Sequence, residues 1–171
     1  MQYNEPRGGI GLLTEVERTR LWENWLSAEI RAYYFADISS QYIKREQCAT
    51  FLVLGLSSSA LATLLAQFQA WVPAVLTAAT ALLSVYLVIF QNYRLALDSA
   101  ELHERWNRLA REYERLWGQM YDEDAARRLA ALEDQGGELS RKAIGLRASK
   151  RRLLKWQDYV EQQHHVASVP V

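Results

Sequence analysis

Few side chains in this sequence of 171 residues are placed to do catalytic chemistry. The dinucleotide motif GxGxxG, the phosphate-binding motif GxxxxGK followed by Ser or Thr, the nucleophile motif GxSxG and the zinc motif HExxH are absent. His103 lies between charged residues on the expected solvent side of a helix, which predicts a surface histidine. His164 and His165 stand near the C-terminus without the further ligands that a metal site requires. The sequence therefore predicts no enzyme, no metal and no cofactor.

A basic stretch, residues 141–155, is the strongest candidate for binding through charge. Three functional readings stay open: anionic lipid headgroups, at about 1 kcal/mol per nearby cation, a phosphorylated or nucleotide ligand, or an acidic partner. The alternative is a solvated helix face that balances the acidic stretch 121–134. Because the formal net charge is zero, no DNA binding is expected. The stretch contains no acidic residue, and its cations are Arg141, Lys142, Arg147, Lys150, Arg151, Arg152 and Lys155.

Small and polar residues recur at helical spacing within the apolar centre of the chain. One set lies four residues apart and predicts a ridge that another helix can approach closely: Gly55, Ser59 and Thr63. A second set falls within about 60° of helix surface at 100° per residue: Thr77, Thr80, Ser84 and Gln91. Hydroxyl groups in a bilayer are expected to bond to a neighbouring helix or to water. The second set is therefore either a packing surface or the lining of a pore.

The apolar centre carries these residues and has the length of two membrane spans. No charged residue lies between Glu46 and Arg94. Two segments, about 48–68 and 71–90, each match a hydrocarbon core of roughly 30 Å when helical. We predict a transmembrane hairpin over 47–93; the alternative is a soluble four-helix protein with a buried central hairpin.

The residues that flank the two segments predict how the hairpin is oriented. Pro73 falls in the first turn of the second segment, where its missing N–H leaves no gap. Trp71 suits a membrane interface, and the cations Lys44, Arg45 and Arg94 lie at the other end of the hairpin. Under the positive-inside rule both termini are cytoplasmic.

Ahead of the hairpin, residues 1–13 are predicted to be a flexible leader with Pro6 and a pair of glycines. Thr14 and Glu17 have the spacing of a capping box and predict the start of an amphipathic cytoplasmic helix over 14–46. The single cysteine, Cys48, excludes an internal disulfide and is expected to pack as a small hydrophobe.

Behind the hairpin, residues 94–165 are predicted to form a cytoplasmic helical hairpin or coiled-coil region, followed by a tail over 166–171. A helix without a breaker before Gly118 carries apolar residues at alternating four- and three-residue steps, the seam of a helical bundle or of an oligomer: Leu102, Trp106, Leu109, Tyr113, Leu116 and Met120. Residues 133–138, with their two glycines, predict a turn. A last helix over about 138–165 follows, with a seven-residue repeat of Leu139, Leu146, Leu153 and Val160.

Two stretches beside the apolar segments resemble the SLATT family, the SMODS- and SLOG-associating two-transmembrane effector domains. They are AEIRAYYFADISSQYIKREQ, which runs into the first segment, and QNYRLALDSAELHERWNRLAREYERLW, which follows the second. The resemblance covers roughly residues 15–165. It implies an all-α, multi-pass protein of the bacterial inner membrane that acts as an effector in antiphage defence and abortive infection.

Members of that family are expected to oligomerise and form a pore when a sensor protein or a nucleotide second messenger signals infection. The lipid bilayer and further copies of the chain are then its partners. The alternative function is a membrane-anchored scaffold that presents a helical arm to a partner without forming a pore.

Overall fold

The computed structural model describes residues 13–65, 69, 71–90, 92–146 and 149–164. Within this part of the chain the secondary structure is helical and no strand occurs, which confirms the all-α prediction. The predicted leader, apart from Leu13, and the predicted tail 166–171 lie outside the described residues. The helices are α1 (Glu15–Leu65), α2 (Trp71–Phe90), α3 (Asn92–Gly118), α4 (Ala125–Ala143) and α5 (Lys150–Gln163).

The capping box at the start of α1 is confirmed. The Thr14 backbone N–H donates to a Glu17 carboxylate oxygen at 2.8 Å, and the Glu17 N–H donates to the Thr14 hydroxyl oxygen at 3.3 Å. Two of the backbone donors that a helix start leaves unpaired are thereby satisfied. From this start α1 continues for 51 residues, through the Ser39-Ser40 pair and into the first apolar segment.

The second apolar segment, 71–90, forms the helix α2 with the same bounds. Pro73 is the third residue of α2, inside its first turn. The helix behind it, α3, ends at Gly118, and the chain then turns with backbone hydrogen bonds from Gln119 N–H to the Leu116 carbonyl and from Asp122 N–H to the Gln119 carbonyl.

The turn predicted over 133–138 is wrong, because α4 runs through this stretch from Ala125 to Ala143. Two glycines inside a helix cost about 2 kcal/mol relative to alanine. Burial of each leucine returns up to about 1.5–3 kcal/mol, and α4 buries Leu129, Leu132 and Leu139. Packing therefore outweighs the local preference of the two glycines for a turn.

The single last helix predicted over 138–165 is also wrong. The helix α4 ends at Ala143 and α5 begins at Lys150, with extended backbone angles of −118° and 103° at Ser149 between them. The Ser149 N–H donates to the Tyr34 hydroxyl oxygen at 2.8 Å, a contact that holds the break against α1. The seven-residue leucine repeat consequently divides between two helices, and Leu153 remains 40% exposed.

The chain forms two compact units. The described residues of Met1–Ala36 and Glu101–Val171 form one unit, which we call the head; Asp37–Ala100 form the other, the apolar unit. The head contains the first half of α1, most of α3, and all of α4 and α5. The apolar unit contains the second half of α1, all of α2 and the first turns of α3.

The core of the head is built on the seam predicted for α3. Leu102, Trp106, Leu109, Tyr113 and Leu116 are all buried, whereas Met120 lies beyond the helix and is partly exposed. Burial, together with the negative charge of Glu133, raises the pKa of Tyr113, so its phenol stays neutral. The seam thus serves as the core of a bundle within one chain. It is covered there and is not an available surface for oligomerisation.

Candidate functional site

The apolar unit exposes large hydrophobic side chains over both of its long helices. Phe51 on α1 is 73% exposed, and Leu82 and Val88 on α2 are 73% and 75% exposed. Contiguous apolar surface beyond a few hundred Å² is rare on soluble monomers and marks a membrane or protein contact. Other side chains in this surface are Leu52, Leu54, Leu61, Val75, Val85 and Ile89.

Among the described residues, one helix, Trp71–Gly118, which takes in both α2 and α3, is long and apolar enough to cross a membrane by length and composition. Only 6% of its most apolar part is buried. The first predicted span, 48–68, is helical up to Leu65 and lies outside the described residues beyond that point. Cys48 at its start is exposed, contrary to the expectation that it packs as a core residue.

Small residues and hydroxyl groups fill the interior of the apolar unit. Ala49, Ala60 and Ala96 are buried there. The Ser39 hydroxyl donates to the Ala96 carbonyl at 3.0 Å, and the buried Ser99 hydroxyl donates to the carbonyl of Leu95 at 2.7 Å. Small side chains let helix backbones approach closely, which is typical of helix contacts in membranes.

The hydroxyl face predicted on α2 is bonded to its own helix. The hydroxyls of Thr77, Thr80 and Ser84 donate to the carbonyl oxygens of Pro73, Leu76 and Thr80, at 2.8, 2.9 and 2.8 Å. A bond to the carbonyl four residues earlier already satisfies each donor, while the hydroxyl oxygens can still accept, so the choice between a packing surface and a pore lining stays a prediction. Gln91, the fourth predicted member of the face, lies outside the described residues.

Two of the three residues of the ridge predicted on α1, Gly55 and Ser59, are exposed, whereas Thr63 is partly buried. A Cβ atom added to Gly55 would meet no atom within 4 Å, and Ser59 is exposed. The Ser59 hydroxyl donates to the Gly55 carbonyl at 2.8 Å, and the Thr63 hydroxyl to the Ala60 carbonyl at 2.9 Å. The ridge therefore presents small side chains with no unsatisfied hydroxyl donor.

The basic residues fall at the junction of two helices instead of along one helix face. Arg141 and Lys142 lie in the last turn of α4, whereas Lys150, Arg151, Arg152 and Lys155 lie on α5; Arg147 is outside the described residues. All of the described members except Arg152 are exposed, and none has a carboxylate within ion-pair distance in the described part of the chain.

The acidic stretch 121–134 does not pair with these cations. Three of its five carboxylates lie within 4.0 Å of other arginines: Glu133 beside Arg20, Asp122 beside Arg128, and Asp124 beside Arg127 and Arg128. Charge balance with the acidic stretch is thus not made through direct ion pairs, and the basic residues at the α4–α5 junction keep their charges free for an external anion.

Two histidines have structural partners that the sequence did not predict. The ring Nδ1 of His103 lies 2.8 Å from the Ala32 carbonyl oxygen, so the predicted surface histidine instead bridges α3 and α1. His164 Nε2 lies 2.7 Å from a Glu29 carboxylate oxygen, and its ring packs edge-on against Trp22 and Trp25. The close spacing of the two tryptophans was a visible signal for an aromatic cluster. Its histidine comes from the far end of the chain, which local spacing cannot indicate.

No group of three or more metal-binding side chains converges within the described residues. The chain matches no protein-family model, no curated protein and no solved structure. Its own geometry defines an all-α protein that has a helical head, a largely exposed apolar unit and one helix able to cross a membrane by length and composition.

Proposed function

We propose that this chain is a two-pass effector of the bacterial inner membrane, which oligomerises and permeabilises that membrane in antiphage defence. The observation that carries the proposal is the exposed apolar surface of the apolar unit, with Leu82 and Val88 about three-quarters exposed. Hydrocarbon is the environment in which such a surface is stable. The resemblance of the flanking stretches to the SLATT family supports the defence role, with a separate sensor protein or a nucleotide second messenger as the trigger.

The head is built from residues on both sides of the apolar unit in the sequence, and this supports a second membrane crossing. Residues before the apolar unit and residues after it pack in the same compact head, for example through the hydrogen bond from Asn24 to Glu133 at 3.1 Å. A chain that leaves one side of a membrane and returns to it must cross an even number of times. If α2 crosses, we propose that the apolar half of α1 makes the second crossing, since no charged residue lies between Glu46 and the end of α1 at Leu65.

The open ridge supports assembly between copies. Two spans cannot enclose a water-filled path, so permeabilisation requires several chains. Gly55 and Ser59 are exposed and offer the close approach that membrane helices use, and a Cβ atom at Gly55 would meet no described atom within 4 Å. Self-association is therefore proposed to run through the ridge on α1, since the seam on α3 is buried in the head.

A membrane-anchored scaffold without a pore is the second candidate, and one observation favours it. The hydroxyls of Thr77, Thr80 and Ser84 are bonded to their own helix, so no water path is needed to satisfy them. In this case the head would present its basic α4–α5 junction to a partner or to anionic lipid headgroups.

Induction of the full chain in a bacterial host, with membrane potential and entry of an impermeant dye as readouts, separates the two candidates. The effector proposal expects dye entry that rises steeply with expression level and is lost in Gly55→Leu. The matched control is Ser57→Leu, which adds the same side chain at an exposed position on the opposite face of α1. An intact potential in dying cells argues for the scaffold, whereas equal loss of dye entry in both variants contradicts assembly through the ridge.

A further inference from the structure

The head contains a cavity of about 490 Å³ that the proposed function does not use. It lies among α1, α3, the end of α4 and the first turn of α5. Its volume is in the range of small-molecule sites, which are mainly apolar with a few polar groups that fix orientation. The apolar part of its wall is formed by Phe35, Ala143, Ile144, Leu146 and Leu153.

A cation without a counter-ion stands in the wall of this cavity. Arg31 is partly buried, and its Cζ lies 4.6 Å from the centre of the Trp106 ring. Its Nη1 donates to the neutral hydroxyl of Ser140 at 2.8 Å, and no carboxylate lies within ion-pair distance among the described residues. Burial lowers the pKa of Arg31, which reflects the same missing partner.

Two further donors border the cavity. The Tyr34 hydroxyl oxygen accepts the Ser149 N–H at 2.8 Å, and its own proton has no acceptor among the described residues. Lys150, in the first turn of α5, is exposed and has no paired carboxylate in the described part of the head. A guanidinium group has five N–H donors, so Arg31 retains unused donors after its bond to Ser140. The polar side of the cavity thus offers donors and positive charge, with no carboxylate in its lining.

We propose that this cavity binds a small organic anion, in which one carboxylate, phosphate or sulfonate group is joined to an apolar or planar body. The anion would compensate the buried charge of Arg31, which is costly to leave unpaired away from water. The apolar or planar body of the anion would pack against the apolar wall of the cavity, between Phe35 and Leu153. This site is a property of the head alone, so it stands whether the apolar unit forms a pore or only an anchor.

Titration calorimetry on the full chain in nanodiscs of zwitterionic lipid tests the site. The probe is naphthalene-2-sulfonate. The same ring with a hydroxymethyl group in place of the sulfonate measures how much the negative charge of the ligand contributes to binding. Inorganic phosphate, which has charge but no ring, measures how much the apolar body of the ligand contributes. Empty nanodiscs give the background. We expect the sulfonate to bind saturably, and about tenfold or more tightly than the neutral ring, since an ion-paired hydrogen bond is worth that factor or more. Phosphate alone is expected to bind too weakly to measure.

Four variants locate the binding. Arg31→Gln is expected to weaken the sulfonate about tenfold, and Lys150→Gln about threefold because its charge is more exposed to solvent. Leu153→Trp fills the cavity and is expected to abolish binding. Arg115→Gln, which removes an exposed cation of α3 outside both the cavity and the basic α4–α5 junction, should leave the affinity unchanged. Circular dichroism checks that each variant is folded. If Arg31→Gln is unfolded, the affinities of Lys150→Gln and Leu153→Trp for the sulfonate decide whether binding takes place in the cavity.

A second series in nanodiscs that contain phosphatidylglycerol identifies the natural source of the anion. If phosphatidylglycerol displaces the naphthalene sulfonate, the natural ligand is a lipid-derived anion. If the sulfonate binds as tightly as in zwitterionic nanodiscs, the natural ligand is a water-soluble anion. The proposal is overturned if the wild-type chain does not bind the sulfonate or binds the neutral ring equally well. It is also overturned if folded Leu153→Trp retains full affinity.

Discussion

Glu17 is a titratable side chain whose local surroundings account for its charge state. Its carboxylate accepts hydrogen bonds from both the backbone N–H and the hydroxyl of Thr14, and these two bonds lower its pKa. A lowered pKa in the folded state means that the carboxylate stabilises the fold when it is ionised. That contribution is complete above the unfolded-state pKa and is lost as the pH falls through the lower folded-state pKa.

Thr14→Ala is expected to lower the free energy of unfolding of the head by about 1 kcal/mol at neutral pH, because it removes the cap of α1. Thr19→Ala is the matched control, since the Thr19 hydroxyl bonds to the Glu15 carbonyl within the helix and caps nothing. Urea unfolding followed by tryptophan fluorescence measures both. The difference between Thr14→Ala and wild type should shrink as the pH falls below the range in which carboxylates ionise; a difference independent of pH would contradict this account.

The pair of Glu29 and His164 fixes the C-terminal end of α5 to α1. Both side chains are largely buried, about one-fifth exposed. His164→Leu leaves the Glu29 carboxylate without its partner and is expected to cost about 1–3 kcal/mol, whereas His164→Gln can still donate and should cost less. Hydrogen exchange of the α5 amides reports the loosening. Equal exchange in both variants would mean that the aromatic contacts alone hold the helix.

These two examples show how far single residues can be predicted. Thr14 and Glu17 are three positions apart, and the geometry of a helix start determines their contact, so the sequence predicts it. Glu29 and His164 are 135 positions apart. Their contact depends on how α5 packs on α1, which no local spacing contains. For the same reason local spacing predicts a surface position for His103, whereas its ring Nδ1 lies 2.8 Å from the Ala32 carbonyl oxygen of α1.

At the scale of elements, periodicity predicts helices well and their interruptions poorly. The four- and three-residue steps in α3 correctly predict its buried face from Leu102 to Leu116, but they continue to Met120, two residues beyond the end of the helix at Gly118. The Gly136-Gly137 pair in α4 predicts a turn that does not form, because an apolar face on either side of it is buried as one surface. The true break at Ser149 depends on the hydroxyl of Tyr34, a residue on another helix.

Gly137→Ala is expected to stabilise the head by about 0.5–1 kcal/mol, because the position is helical and an added Cβ meets no atom within 4 Å. Gly136→Ala should also be tolerated, since its Cβ would lie in ordinary contact, 3.6 Å from Leu109 Cδ2. Gly136→Leu is expected to destabilise by about 1–3 kcal/mol through overpacking against α3. Thermal unfolding of the three variants checks this order; destabilisation by Gly137→Ala would favour the turn.

At the scale of the whole molecule, burial differs sharply between the two units. The head buries its aromatic and aliphatic residues and exposes charges, as a water-soluble bundle does. The apolar unit buries mainly alanine and serine, together with Ile38 and Asn92, and exposes leucine, valine and phenylalanine. This inversion, with small residues inside and large apolar residues outside, is expected where the surrounding medium is hydrocarbon. The lack of charge between residues 47 and 93 makes it visible in the sequence.

Thiol labelling tests the proposed two-pass topology. On a Cys48→Ser background, single cysteines at Thr19, Gln69 and Lys142 are exposed to a membrane-impermeant maleimide. Gln69→Cys is expected to react in intact cells, whereas Thr19→Cys and Lys142→Cys should react only after permeabilisation. A single crossing would give Thr19→Cys and Lys142→Cys opposite behaviour, and a soluble protein would leave all three unreactive until the cells are opened.

The head joins the two ends of the described chain, and this has a consequence for the order in which its parts are synthesised. Trp22 and Trp25 emerge from the ribosome early, but His164, against which they pack, is synthesised almost last. The whole apolar unit is translated in between, and at about 5–20 residues per second this leaves the first half of α1 without its partners for several seconds or more. In the proposed two-pass topology, the apolar segments are therefore made and available for insertion before the head can complete its fold. Until α5 is made, Trp22 and Trp25 lack the His164 ring that they contact in the folded head.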